Sequence, residues 1–252
     1  MKVHLSRWLC LDVETNLERL GQEAHDAAAS GAELVVFPEL FLTGYRREVS
    51  PARARDAFDA VSSAAPGCLF VFGTISEDGR NRLTVWQGGG EVARYDKVHL
   101  FHPNDEHRMW EPGDRYAALR CGDRTIGLMT CNDVRFPEAA RALRLEAGCE
   151  VLVVPAWWPW RRDHIWRTLL QARAIENAVW VLGCAVAGSA HAEEDFAGAG
   201  NHVFDPVGEP VLTSDDRSYE LDLANPPPIL VDPLEHPPGI DRVVVFEGGP
   251  SS

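Results

Sequence analysis

Four short apolar runs, separated by segments of helical length, constrain the fold of this chain more than any other feature of its sequence. The runs are ELVVFPE at 33–39, CLFVFGTI at 68–75, CEVLVVPAW at 149–157 and VWVLGCAV at 179–186. Each run is too short for a buried helix and is apolar almost throughout, which predicts a strand buried on both faces. Such strands in alternation with helices predict the α/β fold class, with a largely parallel core covered by helices.

Amphipathic helices are predicted around these strands, because four segments carry apolar residues at helical spacing. The segments are 15–31, 51–65, 136–148 and 163–177. In the first of them Thr15 precedes Glu18 by three residues, which is the spacing of a capping box. We therefore expect this helix to begin at Thr15 and to end at Gly31.

Hairpins are predicted at two places where short apolar runs flank a glycine turn, and they make the expected sheets mixed. The paired runs are 82–87 with 91–101 and 116–121 with 125–131.

A length of 252 residues suits one large domain, so we expect residues 1–252 to form a single domain. From about residue 225 the recurring prolines predict an extended C-terminal arm, because proline is excluded from regular helices and central strands.

Charge and composition argue against two classes of partner. The formal net charge is -14, whereas nucleic-acid binding relies on clustered Lys and Arg. No stretch approaches the roughly 18–20 uninterrupted apolar residues of a membrane-spanning helix, and the first residues lack a signal-peptide pattern. The six cysteines are widely spread without a CxxC pair, which fits reduced thiols better than disulfides or a zinc site. We therefore expect a cytoplasmic protein that binds neither nucleic acid nor a membrane.

One of the six cysteines, Cys131, follows an apolar run and precedes a predicted helix in GLMTCNDVRFPEAARAL at 127–143. A free cysteine is most often a buried core residue, so the residue type alone favours a structural role. Asn132 and Asp133 are good N-cap residues, which predicts that the helix begins just after the thiol. A thiol at a helix N-terminus has a lowered pKa, because the backbone dipole favours the thiolate.

Two further polar residues end predicted strands and could complete a site around Cys131. Glu39 follows four apolar residues and a proline, an unusual place for a carboxylate unless it is paired in a buried salt bridge or used in chemistry. Lys97 ends the strand of the first hairpin in YDKVHLF, although alone it is most simply a solvated lysine. Because the carboxyl ends of strands in α/β folds converge on one edge, we expect these three side chains to meet in one pocket.

At these residues the sequence closely resembles the nitrilase superfamily of carbon-nitrogen hydrolases. The three signatures of that family occur in order, with FPELFLTGY around Glu39, YDKVHLF around Lys97 and CNDVRFPE around Cys131. Flanking matches are GAELVV, EPGD, GCEVLVVPA, QARAIEN and DPVGE, so the resemblance covers about residues 1–223.

The resemblance implies a four-layer α-β-β-α sandwich with two mixed β-sheets and a catalytic triad of Glu39, Lys97 and Cys131. It also implies a second catalytic glutamate a few residues before the PGD turn, and this position selects Glu106 over Glu111. No metal or cofactor is required by such a site. Relatives form dimers through the helix after the cysteine and the helix containing QARAIEN, so a homodimer or higher homo-oligomer is expected.

The chemistry expected of this site is thiol catalysis of amide hydrolysis. The Cys131 thiolate attacks the carbon of a C–N group while Lys97 and the backbone N–H of Asn132 receive the oxyanion. Glu39 shuttles protons, ammonia leaves, and a water activated by Glu39 hydrolyses the thioester. Glu106 orients the lysine or the leaving amine.

The substrate is a small amide or carbamoyl compound, for which the sequence offers several recognition groups. Trp157, Trp158 and Trp160 follow a strand end, where they either line the pocket or pack against the core or another subunit. Arg135 has the chemistry to hold a substrate carboxylate with two hydrogen bonds. Features of the omega-amidase branch and of the N-carbamoyl amino acid amidohydrolase branch both occur, and a nitrilase activity stays open. A catalytically silent relative that binds a small molecule or a protein is the alternative from another class.

Overall fold

Two mixed β-sheets lie face to face in this protein, and helices cover their outer faces. The computed structural model describes residues 1–122, 124–190, 195–196, 200–229 and 231–235. The strands are β1 (Lys2–Leu5), β2 (Leu9–Cys10), β3 (Leu34–Val36), β4 (Leu69–Glu77), β5 (Arg80–Gln87), β6 (Gly90–Asp96), β7 (Ala117–Cys121), β8 (Arg124–Leu128), β9 (Val151–Ala156), β10 (Trp180–Ala185), β11 (Gly188–Ser189), β12 (His202–Phe204) and β13 (Ser218–Glu220). The α-helices are α1 (Val13–Ala29), α2 (Pro51–Ala64), α3 (Glu106–Met109), α4 (Pro137–Ala147) and α5 (Asp163–Asn177).

Both sheets combine parallel and antiparallel strands, as the sequence predicts. The first sheet has the order β13-β1-β3-β4-β5-β6, in which β1, β3 and β4 are parallel and the outer pairs are antiparallel. The second has the order β12-β10-β9-β8-β7, with β10, β9 and β8 parallel. The two predicted hairpins are β5–β6 and β7–β8. A separate short parallel pair joins β2 and β11.

The apolar runs are continuous because each central strand contributes to two apolar layers. Val71 of β4 and Val153 of β9 belong to the layer between the sheets, whereas the next residues along, Phe72 and Val154, face the outer helices. Side chains on opposite faces alternate along a strand, so a strand covered on both faces is apolar at every position. The result confirms the four-layer α-β-β-α sandwich.

The first helix begins earlier than the capping-box spacing predicts. Helix α1 begins at Val13, and its N-cap is Asp12, whose carboxylate accepts a hydrogen bond from the backbone N–H of Thr15 at 3.0 Å. The expectation that Thr15 is the N-cap is therefore wrong, because an aspartate three residues upstream offers a stronger acceptor to the free N–H groups of the first turn.

The proline-rich end is irregular where the structure describes it and includes a turn at residues 232–235, closed by a hydrogen bond from the backbone N–H of Glu235 to the backbone oxygen of Asp232. Residues 225–229 and 231–235 contain no helix or strand, as expected. Asp232 in this segment pairs with Arg144 of α4 at 2.8 Å, which ties the segment to the outer helical layer. The remainder of the predicted arm lies outside the described residues.

The helices that the structure describes are all too short or too polar to cross a lipid bilayer.

Gly73 allows strand β4 to pack closely against the backbone of Pro38, which directly precedes Glu39. A Cβ atom on Gly73 would lie 1.8 Å from the backbone oxygen of Pro38, so the two backbones pack closer than any side chain permits. In contrast, a Cβ atom on Gly21 in helix α1 would meet no atom within 4 Å.

We expect Gly73→Ala to destabilise the protein by about 1–3 kcal/mol or more, because the methyl group forces the backbone of Pro38 to move. The matched change Gly21→Ala is expected to stabilise it by roughly 0.5–1 kcal/mol, since alanine favours the helix. Urea unfolding monitored by circular dichroism measures both. A Gly73→Ala protein as stable as the parent would contradict the close backbone approach.

Candidate active site

Four residues that the sequence marks lie just beyond the carboxyl ends of strands, two in each sheet. Glu39 follows β3, Lys97 follows β6, Cys131 follows β8 and Trp157 follows β9. Hydrogen bonds join them across the two sheets, so the structure brings together what the sequence separates by up to 118 positions. The predicted convergence at one edge is therefore realised.

A lysine held between two carboxylates is the centre of the site. The Nζ atom of Lys97 lies 2.7 Å from Oε1 of Glu39 and 2.9 Å from Oε1 of Glu106. The side chains of all three residues are fully buried, with an exposed fraction of 0%. Selecting Glu106 over Glu111 thus agrees with its position, because Glu106 begins α3 and points inward.

The charge of Lys97 persists in this buried place because of its neighbours. Burial alone would lower the pKa of the ammonium group, but Glu39, Cys131 and Glu106 outweigh it and raise the pKa above its ordinary value. The raised pKa favours the ammonium form of Lys97, which can stabilise negative charge.

Glu39 is fixed by groups that the sequence analysis did not identify. Its Oε1 accepts a hydrogen bond from Nδ2 of Asn81 at 3.0 Å, and its Oε2 accepts one from the backbone N–H of Trp157 at 2.9 Å. The backbone oxygen of Asn81 also accepts a hydrogen bond from the backbone N–H of Lys97 at 3.0 Å. The sequence gives no clear signal for Asn81, because strand β5, RNRLTVWQ, carries several other polar residues.

Glu106 is held by two donors besides the lysine. The hydroxyl of Tyr45 donates to Oε1 at 2.6 Å, and the backbone N–H of Phe101 donates to Oε2 at 2.8 Å. Burial, together with the nearby Glu39, raises the pKa of Glu106 above its ordinary value, although Lys97 opposes this shift. Burial and the surrounding carboxylates also raise the pKa of Tyr45, which keeps its hydroxyl protonated as a donor.

Cys131 lies at the start of a 3₁₀ helix, Cys131–Arg135, and not directly before an α-helix, since α4 begins only at Pro137. Its backbone has a φ of 47°, in the left-handed region that residues other than glycine rarely adopt. The Sγ atom lies 3.8 Å from the backbone oxygen of Trp157. The expectation of an α-helix that begins just after the thiol is therefore wrong.

The expected lowering of the thiol pKa is also wrong for the resting protein. Burial raises the pKa of Cys131 well above its ordinary value, and Glu39 and Glu106 raise it further, while Lys97 lowers it. Desolvation of the thiolate and two nearby carboxylates outweigh one ammonium group. The resting site accordingly holds a neutral thiol beside Glu39 and Lys97.

Asn132 and Arg135 follow the cysteine and differ in their surroundings. The side-chain amide of Asn132 donates to the backbone oxygens of His99 and Leu100 at 3.1 and 3.3 Å, so it ties the cysteine segment to the lysine segment. The guanidinium of Arg135 lies 4.7 Å from the ring centre of Trp158, a cation–π distance.

The guanidinium of Arg135 interacts electrostatically with the site. Burial lowers the pKa of Arg135, and the interaction with Cys131 acts in the opposite direction. Its buried Nε atom has no hydrogen-bond partner among the described residues. A buried donor without a partner is unfavourable, so this edge of the guanidinium is suited to an acceptor from a ligand.

The three tryptophans that the sequence marks have different places. Trp157 is buried and packs edge-on against Tyr45 and Phe196, with ring centres 5.9 and 5.3 Å apart. Trp158 stacks on Trp166 of α5 at 5.0 Å, so one of its faces belongs to the core. Trp160 is 48% exposed. Core packing thus accounts for much of Trp157 and Trp158, and a role of the three rings in the substrate pocket stays a prediction.

No cluster of three or more His, Cys, Asp or Glu side chains within the described part of the chain has the arrangement of a metal site. The polar groups around Cys131 are those of acid, base and oxyanion chemistry.

Comparisons with known proteins agree with this geometry. The model of the carbon-nitrogen hydrolase family matches residues 5–218. Omega-amidase YafV of Escherichia coli (strain K12) is 30% identical over 212 residues, which cover 81% of this chain and 80% of that protein. Deaminated glutathione amidase of Synechocystis sp. (strain PCC 6803) is 36% identical over 239 residues, with coverage of 82% and 86%.

A solved structure adds a chemical observation on a relative. It is a glutamate-to-glutamine mutant of the amidase from Nesterenkonia sp. AN1, in which acrylamide has added to the active-site cysteine. It is 25% identical to this chain with a TM-score of 0.73, and the match covers 83% of this chain and 86% of that one.

The charges around Cys131 predict opposite effects of two substitutions on its thiol. Glu39 raises the thiol pKa and Lys97 lowers it, so Glu39→Gln is expected to lower the pKa and Lys97→Gln to raise it. The pH profile of iodoacetamide labelling at Cys131, read from peptide masses, should move to lower pH in the first variant and to higher pH in the second.

The exposed Cys121 provides an internal reference for reagent activity in each sample. Movement of both profiles in the same direction would contradict the assignment of charges around the thiol.

Proposed function

This chain belongs to the carbon-nitrogen hydrolase family and hydrolyses amide C–N bonds by means of a cysteine nucleophile, and on that premise we propose that its substrate is a small amide carrying a carboxylate. The observation that carries the proposal is the buried Lys97 ammonium, paired with Glu39 at 2.7 Å and Glu106 at 2.9 Å beside the Cys131 thiol. These groups supply the base, the cation and the nucleophile that amide cleavage needs.

The first half of the reaction forms a thioester. Because the resting thiol is protonated, Glu39 removes its proton as Sγ of Cys131 attacks the amide carbon. The oxyanion that develops is stabilised by Nζ of Lys97 and by the backbone N–H of Asn132. Glu39 then gives the proton to the amide nitrogen, the C–N bond breaks, and ammonia leaves.

The second half of the reaction regenerates the thiol. Glu39 takes a proton from a water molecule, whose oxygen attacks the thioester carbon, and the same two donors stabilise the second oxyanion. The C–S bond breaks, the proton returns to Sγ of Cys131, and a carboxylic acid is released. Glu106 keeps Lys97 in place through its 2.9 Å contact and through Tyr45.

Recognition of the substrate carboxylate is assigned to Arg135. Its buried Nε lacks a partner among the described residues, and its guanidinium is held over Trp158 near Cys131. A carboxylate has two acceptor oxygens and can accept two parallel hydrogen bonds from such a guanidinium, which a single water molecule cannot do. One relative is named an omega-amidase, and the proposal gives this chain the same kind of terminal amide. N-carbamoyl amino acids also carry a carboxylate, and they are the second substrate class to test.

We further propose a homodimer built on the outer face of α4 and α5. The resemblance to nitrilase-superfamily relatives that pair through these two helices supports this proposal, and Ile175 of α5 is a large apolar side chain that is 52% exposed. The cytoplasm is the proposed compartment, since all six cysteines are free thiols.

Removal of the nucleophile tests the assignment of the reaction. Cys131→Ala is expected to reduce ammonia release from every substrate below detection, while the thermal melt stays close to that of the parent. The panel comprises omega-amides, N-carbamoyl amino acids, aliphatic amides and nitriles. Turnover by the variant at the parental rate would refute Cys131 as the nucleophile, and a parent protein inactive on the whole panel would favour a binding role.

Removal of the proposed carboxylate anchor tests the substrate class. We expect Arg135→Gln to lower kcat/KM for carboxylate-bearing amides by about 10–100-fold, because a hydrogen bond to a charged group is lost. Neutral amides of the same length should change by less than about threefold. Arg120→Gln, which makes the same change of charge on an exposed position of β7, is the control. Equal losses for charged and neutral amides would refute the role of Arg135.

A further inference from the structure

A further buried carboxylate, that of Asp133, lies two residues after Cys131 and accepts hydrogen bonds from both segments that carry the proposed site. Oδ2 of Asp133 accepts from the backbone N–H of Thr130 and from the hydroxyl of Tyr95, each at 2.8 Å. Oδ1 accepts from the backbone N–H of His99 at 2.9 Å and lies 2.9 Å from Nδ1 of the same residue. Since a carboxylate only accepts hydrogen bonds, Nδ1 carries the hydrogen.

Three of these four contacts join the cysteine segment to the lysine segment, and the fourth, from Thr130, lies within the cysteine segment. Tyr95 and His99 lie two positions before and after Lys97, whereas Thr130 and Asp133 lie on either side of Cys131. Asp133 itself is completely buried, and it makes no contact with the Lys97 ammonium. Asp133 is therefore placed to set the distance between the two functional groups without meeting a substrate.

Further contacts strengthen the same junction. The imidazole of His99 stacks on the ring of Phe136 with centres 3.7 Å apart and planes at 8°. Asn132 donates to the backbone oxygens of His99 and Leu100. The hydroxyl of Tyr95 also accepts from the backbone N–H of Val98 at 3.2 Å. The junction thus consists of directional bonds on both sides of Asp133, which leave little freedom for either segment.

The conformation of Cys131 requires such support. With a φ of 47° the residue is in a region that costs free energy for a side chain with a Cβ atom, and surrounding contacts must maintain it. The bond from Thr130 N–H to Asp133 spans Cys131 and closes the turn around it.

We propose that Asp133 is a positioning residue, which fixes the Cys131 thiol relative to the Lys97 ammonium by clamping the two segments together. This proposal rests on the function proposed above for Cys131 and Lys97. It assigns no proton transfer to Asp133, and the charge on the carboxylate acts only by accepting the four hydrogen bonds.

Substitution of Asp133 should lower the rate of chemistry more than substrate binding. For Asp133→Asn we expect kcat to fall by about 100-fold, because a misplacement near 1 Å in a catalytic group has an effect of that order, while KM changes by less than about threefold. Asp163→Asn is the matched control, since Asp163 is also buried and pairs with His202 at 2.9 Å but contacts neither segment. Its kcat per folded protein should stay within about threefold of the parental value.

Two substitutions at His99 separate the clamp from general stability. His99→Asn keeps a donor near the position of Nδ1, whereas His99→Phe keeps the ring on Phe136 and removes the donor. We expect His99→Phe to lower kcat by about tenfold, in line with one lost hydrogen bond to a charged group, and His99→Asn to retain most of it. Ammonia release and the thermal melt are measured for each variant.

The outcomes distinguish this proposal from the proposed function. If Asp133→Asn and His99→Phe turn over at the parental rate while Cys131→Ala is inactive, the clamp is wrong and the function stands. If His99→Asn and His99→Phe lose equal amounts of kcat, or if Asp163→Asn loses as much as Asp133→Asn, the role of Asp133 is general stability and the proposal is overturned. Should Asp133→Asn fail to fold, the two His99 variants decide.

Discussion

The site depends on one buried cation that has two anionic neighbours. An ammonium group removed from water is unfavourable unless carboxylates compensate it, and Lys97 meets Glu39 and Glu106 at hydrogen-bond distance. Loss of one member of such a group leaves an uncompensated buried charge, which in other proteins costs about 3–5 kcal/mol. Each of the three residues therefore depends on the other two, and the backbone around them must hold all three at once.

The α-β-β-α architecture provides that backbone. Strands β3, β6, β8 and β9 end at the same edge, and close packing between the segment after β3 and strand β4 is possible because Gly73 has no side chain. Asn81 then joins Glu39 to the strand preceding Lys97, while Asp133 joins the lysine segment to the cysteine segment. The chemistry is built on rigid strand ends and short turns, which hold side chains more firmly than long loops do.

The state of the thiol follows from the balance of these charges. A helix N-terminus would favour a thiolate, but Cys131 begins only a short 3₁₀ helix and is enclosed with two carboxylates. The neutral thiol is a weak nucleophile, and it becomes reactive when the neighbouring carboxylate removes its proton during attack on the carbon of a substrate. Cys131 and Glu39 then act together, and Lys97 stabilises the negative charge that develops on the substrate oxygen.

The sequence by itself determined the α/β alternation, the strands buried on both faces and the positions of Glu39, Lys97 and Cys131 at strand ends, because burial on a strand or helix leaves a periodic pattern within a few residues. Only the tertiary structure decided the direction of the thiol pKa and the partners Asn81 and Asp133. These features depend on charges and hydrogen bonds between segments tens of residues apart, whose distances no local pattern contains.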